Sequence, residues 1–260
     1  MLSASPGPGA VLADPAHGGH PLLTYLDAAT GERAELSAAQ LGGWAARTAH
    51  LLLDECRLTV GDRVAVLLPP HWQTAAVLFG AWSAGLSVAF HPAATAGLPR
   101  IGPGANGPFQ VTFAALRRID DWLEDVPPAE HRFALGLTPD AAPLAEVPDG
   151  YRDYVAAVRR HADTAPPYDA VRGGDAATVD GTTFAQWRRL AEEIAARHGF
   201  RAGDRVLVDT AHEHPVTWLL APLVTGASIV LCANADADAD ALARHARREG
   251  ATRVLSTTRP

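Results

Sequence analysis

An internal repeat constrains the fold of this chain more than any other feature. The tetrapeptide Gly-Asp-Arg-Val stands at residues 61–64 and returns 142 residues later at 203–206. Each copy leads into an apolar run, then a helical pattern that stops at a glycine, Gly85 or Gly226, then a second apolar run. Two α/β stretches can look alike by chance, but the shared tetrapeptide and nearly constant spacing favour duplication of a helix–strand–helix–strand unit.

The segments before each tetrapeptide strengthen this interpretation. Each opens with a hydroxyl residue followed three residues later by glutamine, the pattern of a capping box, at Ser37 with Gln40 and at Thr183 with Gln186. Repeated units of this kind give parallel strands joined by right-handed helical crossovers. The predicted fold is therefore α/β, with two pseudo-repeated, mostly parallel sheets flanked by helices.

The composition along the chain predicts its organisation. Residues 1–20 are rich in Gly, Pro and Ala and are expected to form a disordered or loosely ordered tail. Residues 22–36 have the pattern of a β-hairpin. Two linkers are dense in Pro, Gly and Asp, at 139–148 and 162–174, and the second is the better candidate for a domain boundary. It gives a first lobe at 21–162 and a second lobe at 175–260. The alternative is one compact unit.

The chain contains no lysine, since all 22 of its Lys and Arg residues are arginines. A Walker phosphate loop and a Schiff-base enzyme both need a lysine, so these classes are excluded. The net charge of −7 and the absence of a basic stripe argue against nucleic-acid binding. The two cysteines lie far apart, no apolar run reaches transmembrane length, and the amino terminus lacks a signal-peptide pattern. We expect a cytoplasmic protein.

Residues 37–92 resemble the amino-terminal region of the acyl-adenylate-forming enzymes, which include acyl-CoA synthetases, luciferases and peptide-synthetase adenylation domains. The similarity lies in a capped helix with Leu-Gly-Gly-Trp-Ala-Ala-Arg, then Val-Gly-Asp-Arg-Val-Ala-Val-Leu-Leu-Pro, then a helix ending in Ala-Gly. Residues 201–260 are similar to a later part of the same fold. Together these stretches cover about half of the chain, and they resemble a short, actinobacterial type of this ligase family. The resemblance implies a two-lobed, mostly parallel α/β fold with internal pseudo-symmetry.

The departures from that family bear on activity. The family binds ATP phosphates on a Ser/Thr/Gly-rich loop that ends in Pro-Lys-Gly, and the matching segment here is Val-Asp-Gly-Thr-Thr-Phe-Ala-Gln at 179–186. Asp180 would repel phosphate, so a helix cap is favoured over a phosphate loop. The family's Tyr-Gly-x-Thr-Glu stretch, ribose-binding Asp and carboxy-terminal lid with its catalytic Lys are also not found before Pro260. The resemblance therefore implies a ligase-like chain that does not adenylate.

Candidate ligand-binding residues follow the predicted strands, because ligands of doubly wound sheets bind beyond the carboxyl ends of the strands. They are His71, Trp72, His91, Asp209, His212, His214 and Trp218. His212 and His214 could bind a metal if a third ligand converged, line a pocket, or cap a helix. Trp72 and Trp218 fit either the core or a pocket wall. We predict no catalytic residue, metal site or cofactor.

Three functions stay open at this point. The leading hypothesis is a catalytically inactive binding or regulatory module, with a protein partner or self-association on a face that the lid would otherwise cover. The second is a small-molecule binder that keeps the ancestral cleft for an acyl or nucleotide-like ligand. The third is an enzyme of another class that uses Asp209, His212 or His214. Neither nucleic acid nor a membrane is an expected partner.

Overall fold

The computed structural model describes residues 21–90, 108–119, 126–164, 171–210, 214–235 and 239–255. The chain divides into two compact units. Of the described residues, the first unit contains 42–69 and 76–185, and the second contains 21–41, 70–75 and 186–255. Each unit is built around one sheet of five strands.

The strands, in chain order, are β1 (Leu23–Asp27), β2 (Arg33–Leu36), β3 (Arg63–Leu67), β4 (Ser87–Phe90), β5 (Phe109–Ala115), β6 (Ala129–Leu135), β7 (Arg152–Asp153), β8 (Arg205–Asp209), β9 (Ser228–Ala233) and β10 (Arg253–Leu255). The helices are α1 (Ala38–His50), α2 (Trp72–Ser83), α3 (Leu116–Ile119), α4 (Tyr154–Val158), α5 (Phe184–His198), α6 (Ala221–Val224) and α7 (Ala239–Arg248). Two π-helical turns adjoin them: Leu51–Glu55 after α1 and Val216–Leu220 before α6.

The sheet of the first unit has the strand order β4-β3-β5-β6-β7, and all neighbouring strands are parallel. The sheet of the second unit has the order β10-β8-β9-β1-β2, in which only the β1–β2 pair is antiparallel. Strands β3, β8 and β9 are buried almost throughout, which suits parallel strands covered on both faces. The predicted fold class is confirmed.

The repeat predicted from the sequence has the same local geometry in both copies. The Gly61 N–H donates to the Gly85 carbonyl at 2.9 Å, and the Gly203 N–H donates to the Gly226 carbonyl at 3.2 Å. All four glycines have φ between 73° and 92°, a left-handed conformation that residues with a Cβ rarely adopt. These turns start the parallel pairs β3–β4 and β8–β9, so the helix–strand–helix–strand unit is present twice.

The first capping box is confirmed. The Gln40 N–H donates to Ser37 Oγ at 3.2 Å, and the Ser37 N–H donates to Gln40 Oε1 at 2.8 Å. Helix α4 begins at Tyr154, directly after the short strand β7. The reason is local, since the Asp153 side chain accepts a hydrogen bond from the Ala156 N–H and therefore caps the helix there.

The hairpin predicted at residues 22–36 forms as β1 and β2, but sequence order does not determine which sheet it joins. β1 runs parallel to β9, with Leu23 opposite Ile229 and Asp27 opposite Ala233. The hairpin therefore extends the sheet of the second repeat copy. The tail predicted at residues 1–20 lies outside the described residues. Among the described residues, no helix is long and apolar enough to cross a membrane.

Candidate functional site

Two histidines occupy corresponding positions in the two repeat copies, at the start of the helical segment after the Gly-Asp-Arg-Val strand. His71 Nδ1 accepts a hydrogen bond from the Gln73 N–H at 3.1 Å. His214 Nδ1 accepts one from the Val216 N–H at 3.4 Å. Each ring therefore satisfies an otherwise orphan amide of a helix amino terminus, and accepting at Nδ1 places the proton of the neutral ring on Nε2.

The His71 ring is buried, with 2% of the residue exposed. The Tyr25 ring, from β1, packs edge-on against it with ring centroids 4.4 Å apart, and the Trp72 ring lies 5.6 Å away. Burial lowers the pKa of His71 to about 3, so the ring is neutral at physiological pH. His71 Nε2 is buried and has no hydrogen-bond partner within the part of the chain that the structure describes.

His214 differs from His71 in its exposure to solvent. Its ring stacks on Trp187 of α5 at 5.4 Å with an interplanar angle of 28°. Trp187 itself is buried, and His214 is exposed. This stack fixes the entry of the chain into the π-helical turn Val216–Leu220. Because π-helical turns are rare and often occur at functional sites, this turn supports His214 as a candidate site residue of the second unit.

Carboxylates gather where β8 and β1 end on either side of β9. Asp209 is the last residue of β8, is half-buried and lies opposite Cys232. Burial raises the pKa of the Cys232 thiol to about 11, and the negative charge of Asp209 adds to the effect. Asp27 ends β1, where one carboxylate oxygen accepts from Asn234 Nδ2 at 2.8 Å and the other accepts from the Ala29 and Thr30 amides. Asp27 therefore closes the hairpin turn.

The predicted site residues that the structure describes belong to the second unit. Trp72 and Trp218 are 2% and 1% exposed, so both indole rings are packed in the interior. His91 and His212 lie outside the described residues, and the metal hypothesis for His212 and His214 stays a prediction. Among the described residues, no group of three or more His, Cys, Asp or Glu side chains is arranged to hold a metal ion.

Sequence reasoning did not select Tyr25 or Trp187, the rings that contact the two histidines. Trp187 is one of the buried residues of α5, so its position alone indicates a core residue. Tyr25 lies in a hairpin far from His71 in sequence. The apolar pattern of a strand does not reveal which helix start it will contact, so no local signal could have identified this pair.

The turn at residues 178–182, in the segment that the sequence resemblance matches to the family's phosphate loop, is closed by Asp180. Asp180 Oδ1 accepts from the Thr178 hydroxyl at 2.6 Å and from the Thr182 N–H at 3.0 Å. The Gly181 N–H donates to the Thr178 carbonyl at 3.0 Å. The hydrogen bond from Thr178 lowers the pKa of Asp180, so this carboxylate is ionised at neutral pH. Two donors that could face a phosphate are thus bound to a negative charge.

Solved structures define the class of fold. The chain superposes on a Brucella canis acyl-CoA synthetase with a TM-score of 0.70 and 20% identity, covering 97% of this chain and 48% of that one. It superposes on acetoacetyl-CoA synthetase from Streptomyces lividans with a TM-score of 0.68 and 20% identity, covering 95% and 42%. The N-terminal domain of FACL13 from Mycobacterium tuberculosis gives a TM-score of 0.56 at 17% identity, covering 87% and 57%. The chain has the fold of the acyl-CoA synthetase N-terminal domain and spans about half the length of these proteins.

A sequence relative shows the family. The chain is 37% identical over 241 residues to a TIGR03089 family protein from Mycobacterium tuberculosis (strain ATCC 25618 / H37Rv), covering 90% of this chain and 91% of that protein. The protein belongs to the TIGR03089 family. No family profile matches the chain.

Proposed function

We propose that this protein is a catalytically inactive member of the AMP-ligase-like fold that acts as a binding or regulatory module. The observation that carries the proposal is the turn closed by Asp180. A phosphate loop works because free hydroxyl and backbone N–H groups face the phosphates and a lysine neutralises their charge. Here the Thr178 hydroxyl and the Thr182 N–H donate to Asp180, and the 260 residues contain no lysine.

Electrostatics supports the same conclusion. The pKa of Asp180 is lowered, chiefly by the hydrogen bond from Thr178, so a negative charge stands in the segment that resembles the phosphate loop of the ligases. ATP would have to bring its own negative charges beside this carboxylate and would also have to break its hydrogen bonds. Both effects weaken triphosphate binding. The free energy needed to break the hydrogen bonds of the turn would weaken the binding of ATP, which precedes any chemical step.

A second candidate function is the binding of a small molecule, and one specific observation favours it. The buried His71 ring carries a donor, Nε2–H, without an acceptor among the described residues. A ligand that supplied an acceptor would remove this deficit. This function is compatible with the absence of adenylation, because it uses the helix start at His71 and not the turn at Asp180.

Adenylation is tested by ATP–pyrophosphate exchange with Mg²⁺ and a panel of aliphatic and aromatic carboxylic acids. We expect no exchange above the protein-free background, and no saturable rise in melting temperature with ATP and Mg²⁺ at millimolar concentration. A known acyl-CoA synthetase serves as the positive control. Saturable exchange by the unmodified protein would overturn the proposal.

A pair of variants tests whether the Asp180 carboxylate is responsible. Asp180→Gly removes the charge and releases both donors. Asp140→Gly is the matched control, because Asp140 also accepts an N–H from the residue two positions later, Ala142, at 3.0 Å, and its pKa is also lowered. We expect ATP to raise the melting temperature of Asp180→Gly but not that of Asp140→Gly. An equal response of the two variants would contradict a specific role for Asp180.

A further inference from the structure

The His71 ring is fixed in orientation and in tautomer. Nδ1 accepts the Gln73 N–H at 3.1 Å, which ties one edge of the ring to the first turn of the twelve-residue helix α2. The Tyr25 ring packs edge-on against the ring of His71 at 4.4 Å. With Nδ1 acting as acceptor, the proton of the neutral imidazole lies on Nε2, at the far edge of the ring from the helix amide. His71 therefore presents one N–H donor in a fixed direction.

This donor is buried and has no acceptor within the described residues. Buried N–H groups are nearly always paired, because leaving one unpaired in an apolar interior forfeits its hydration. A helix cap alone does not require this arrangement. Asparagine would accept the Gln73 N–H at the same place, and its shorter side chain would place no N–H where Nε2 lies. The ring thus provides a hydrogen-bonding group that the described part of the fold does not use.

The groups that the structure places against the His71 ring are uncharged: the Tyr25 ring, the Trp72 ring and the Gln73 amide. Burial lowers the pKa of His71. The neighbouring groups that define the orientation of the ring are aromatic, from Tyr25 and Trp72. A charged ligand would lose its hydration here without gaining a counter-charge, whereas an uncharged acceptor would lose much less.

We propose that His71 is a ligand-binding residue whose Nε2–H donates to the carbonyl oxygen of a small, uncharged, apolar molecule packed beside Tyr25 and Trp72. The proposal rests on the binding role proposed above and names the class of molecule that is bound. It does not depend on the turn at Asp180. The two proposals can therefore fail separately, one in the exchange assay and the other in a binding assay at His71.

The first experiment observes the donor directly. In ¹⁵N-labelled protein, a buried Nε2–H that exchanges slowly with water gives its own proton–nitrogen resonance, assigned by its loss in His71→Asn. The probes are benzamide and benzoate, which have the same shape but differ in charge. We expect benzamide to move this resonance downfield and saturably, and benzoate to have little effect. No shift with benzamide, or an equal shift with benzoate, would overturn the proposal.

Two substitutions separate the ligand donor from the helix cap. The oxygen of asparagine can replace Nδ1 as acceptor, so His71→Asn keeps the cap and loses the donor. The amide nitrogen of glutamine reaches the place of Nε2, so His71→Gln keeps the donor and loses the cap. We expect benzamide affinity to fall at least about tenfold in His71→Asn and to change less than about threefold in His71→Gln.

His198→Asn is the control, because the exposed His198 ring stacks on Phe200 at the end of α5, away from the candidate site residues in sequence. It should bind benzamide as the unmodified protein does. If His71→Asn binds as well as His198→Asn, His71 is only a cap and the proposal is wrong. If His71→Asn does not fold, the resonance is assigned by nuclear Overhauser contacts with the Tyr25 ring, which packs at 4.4 Å, and the titration of the unmodified protein still decides the question.

Discussion

Asp62 and Asp204 close equivalent turns in the two copies of the repeat. The carboxylate of Asp62 accepts the Thr59 N–H at 2.7 Å, and that of Asp204 accepts the Arg201 N–H at 2.9 Å, each from three residues earlier. Their backbone carbonyls accept from Ser87 and Ser228, both at 2.9 Å. The shared tetrapeptide thus encodes one turn, in which glycine permits the left-handed φ, aspartate closes the loop and valine enters the sheet.

This equivalence predicts the relative cost of two substitutions. Asp62→Ala removes the bonds from the Thr59 N–H and hydroxyl. Asp204→Ala removes the bond from Arg201 and also a 2.7 Å bond from the Thr252 hydroxyl and an ion pair with Arg253. We expect urea unfolding to give a loss of about 1 kcal/mol for Asp62→Ala and about 2 kcal/mol for Asp204→Ala. A larger loss for Asp62→Ala would contradict this account.

The local part of the fold could be predicted from the sequence because its causes are local. The tetrapeptide turns, the Ser37 capping box and the apolar period of each element all act within a few residues. The partner of β1 could not be predicted in this way. β1 pairs with β9, about 200 residues away in sequence, and no short sequence pattern records a partner at that distance.

The candidate site could be predicted only in part from the sequence, for the same reason. The rule that ligands bind after strands selected His71 and His214, since their position follows from chain order. The burial of one ring and the exposure of the other could not be predicted, because both depend on distant residues, Tyr25 and Trp187. The sequence predicts that Asp180 is unfavourable for phosphate, but its bond from the Thr178 hydroxyl depends on how the turn folds.

Two helical glycines are predicted to respond in opposite ways to alanine. A Cβ at Gly80 of α2 would lie 2.5 Å from Thr48 Cβ and 2.8 Å from the Ala45 carbonyl oxygen, and a Cβ at Gly42 of α1 meets nothing within 4 Å. Thr48 cannot move freely, because its hydroxyl bonds the Tyr154 hydroxyl and the Trp44 carbonyl, both at 2.8 Å.

We therefore expect Gly80→Ala to lower the free energy of unfolding by about 1–3 kcal/mol. Gly42→Ala should raise it by about 0.5–1 kcal/mol, since alanine is the better helix former. Chemical denaturation of both variants measures the difference. Stabilisation by alanine at Gly80 would mean that α1 and α2 do not approach each other this closely.

Glu55 predicts a pH dependence of stability in the first unit. It accepts hydrogen bonds from His161 Nε2 at 2.9 Å and from Arg160 at 3.2 Å, and it pairs with Arg152. Burial raises the pKa of Glu55, but the bonds from His161 and Arg152 outweigh it, and its pKa is lowered. A lowered folded-state pKa gives stability that is present above the unfolded pKa of about 4.3 and is lost as pH falls through the folded value.

Glu55→Gln should accordingly be less stable than the unmodified protein at pH 7, because it loses the charge that pairs with Arg152. The loss should be only about 1 kcal/mol, because the Glu55 side chain is about a third exposed and solvent screens its ion pairs. The difference should shrink below about pH 4. Asp54→Asn is the control, since Asp54 is the exposed neighbour of Glu55 and pairs with His50 at 2.7 Å. A difference that does not change between pH 7 and pH 3 would show that the charge of Glu55 is not the cause.

The two cysteines are predicted to be unreactive in the native protein. Burial raises the pKa of Cys56 to about 12 and that of Cys232 to about 11, and only the thiolate attacks a disulfide reagent. At pH 8 we expect neither thiol to react with Ellman's reagent on the time scale of minutes, and both to react in denaturant. Cys232 makes the test informative, because it lies opposite Asp209 where β8 and β9 end. Rapid reaction of one native thiol, assigned with Cys232→Ser, would mean that reagent reaches this end of the sheet and that Asp209 borders an accessible site.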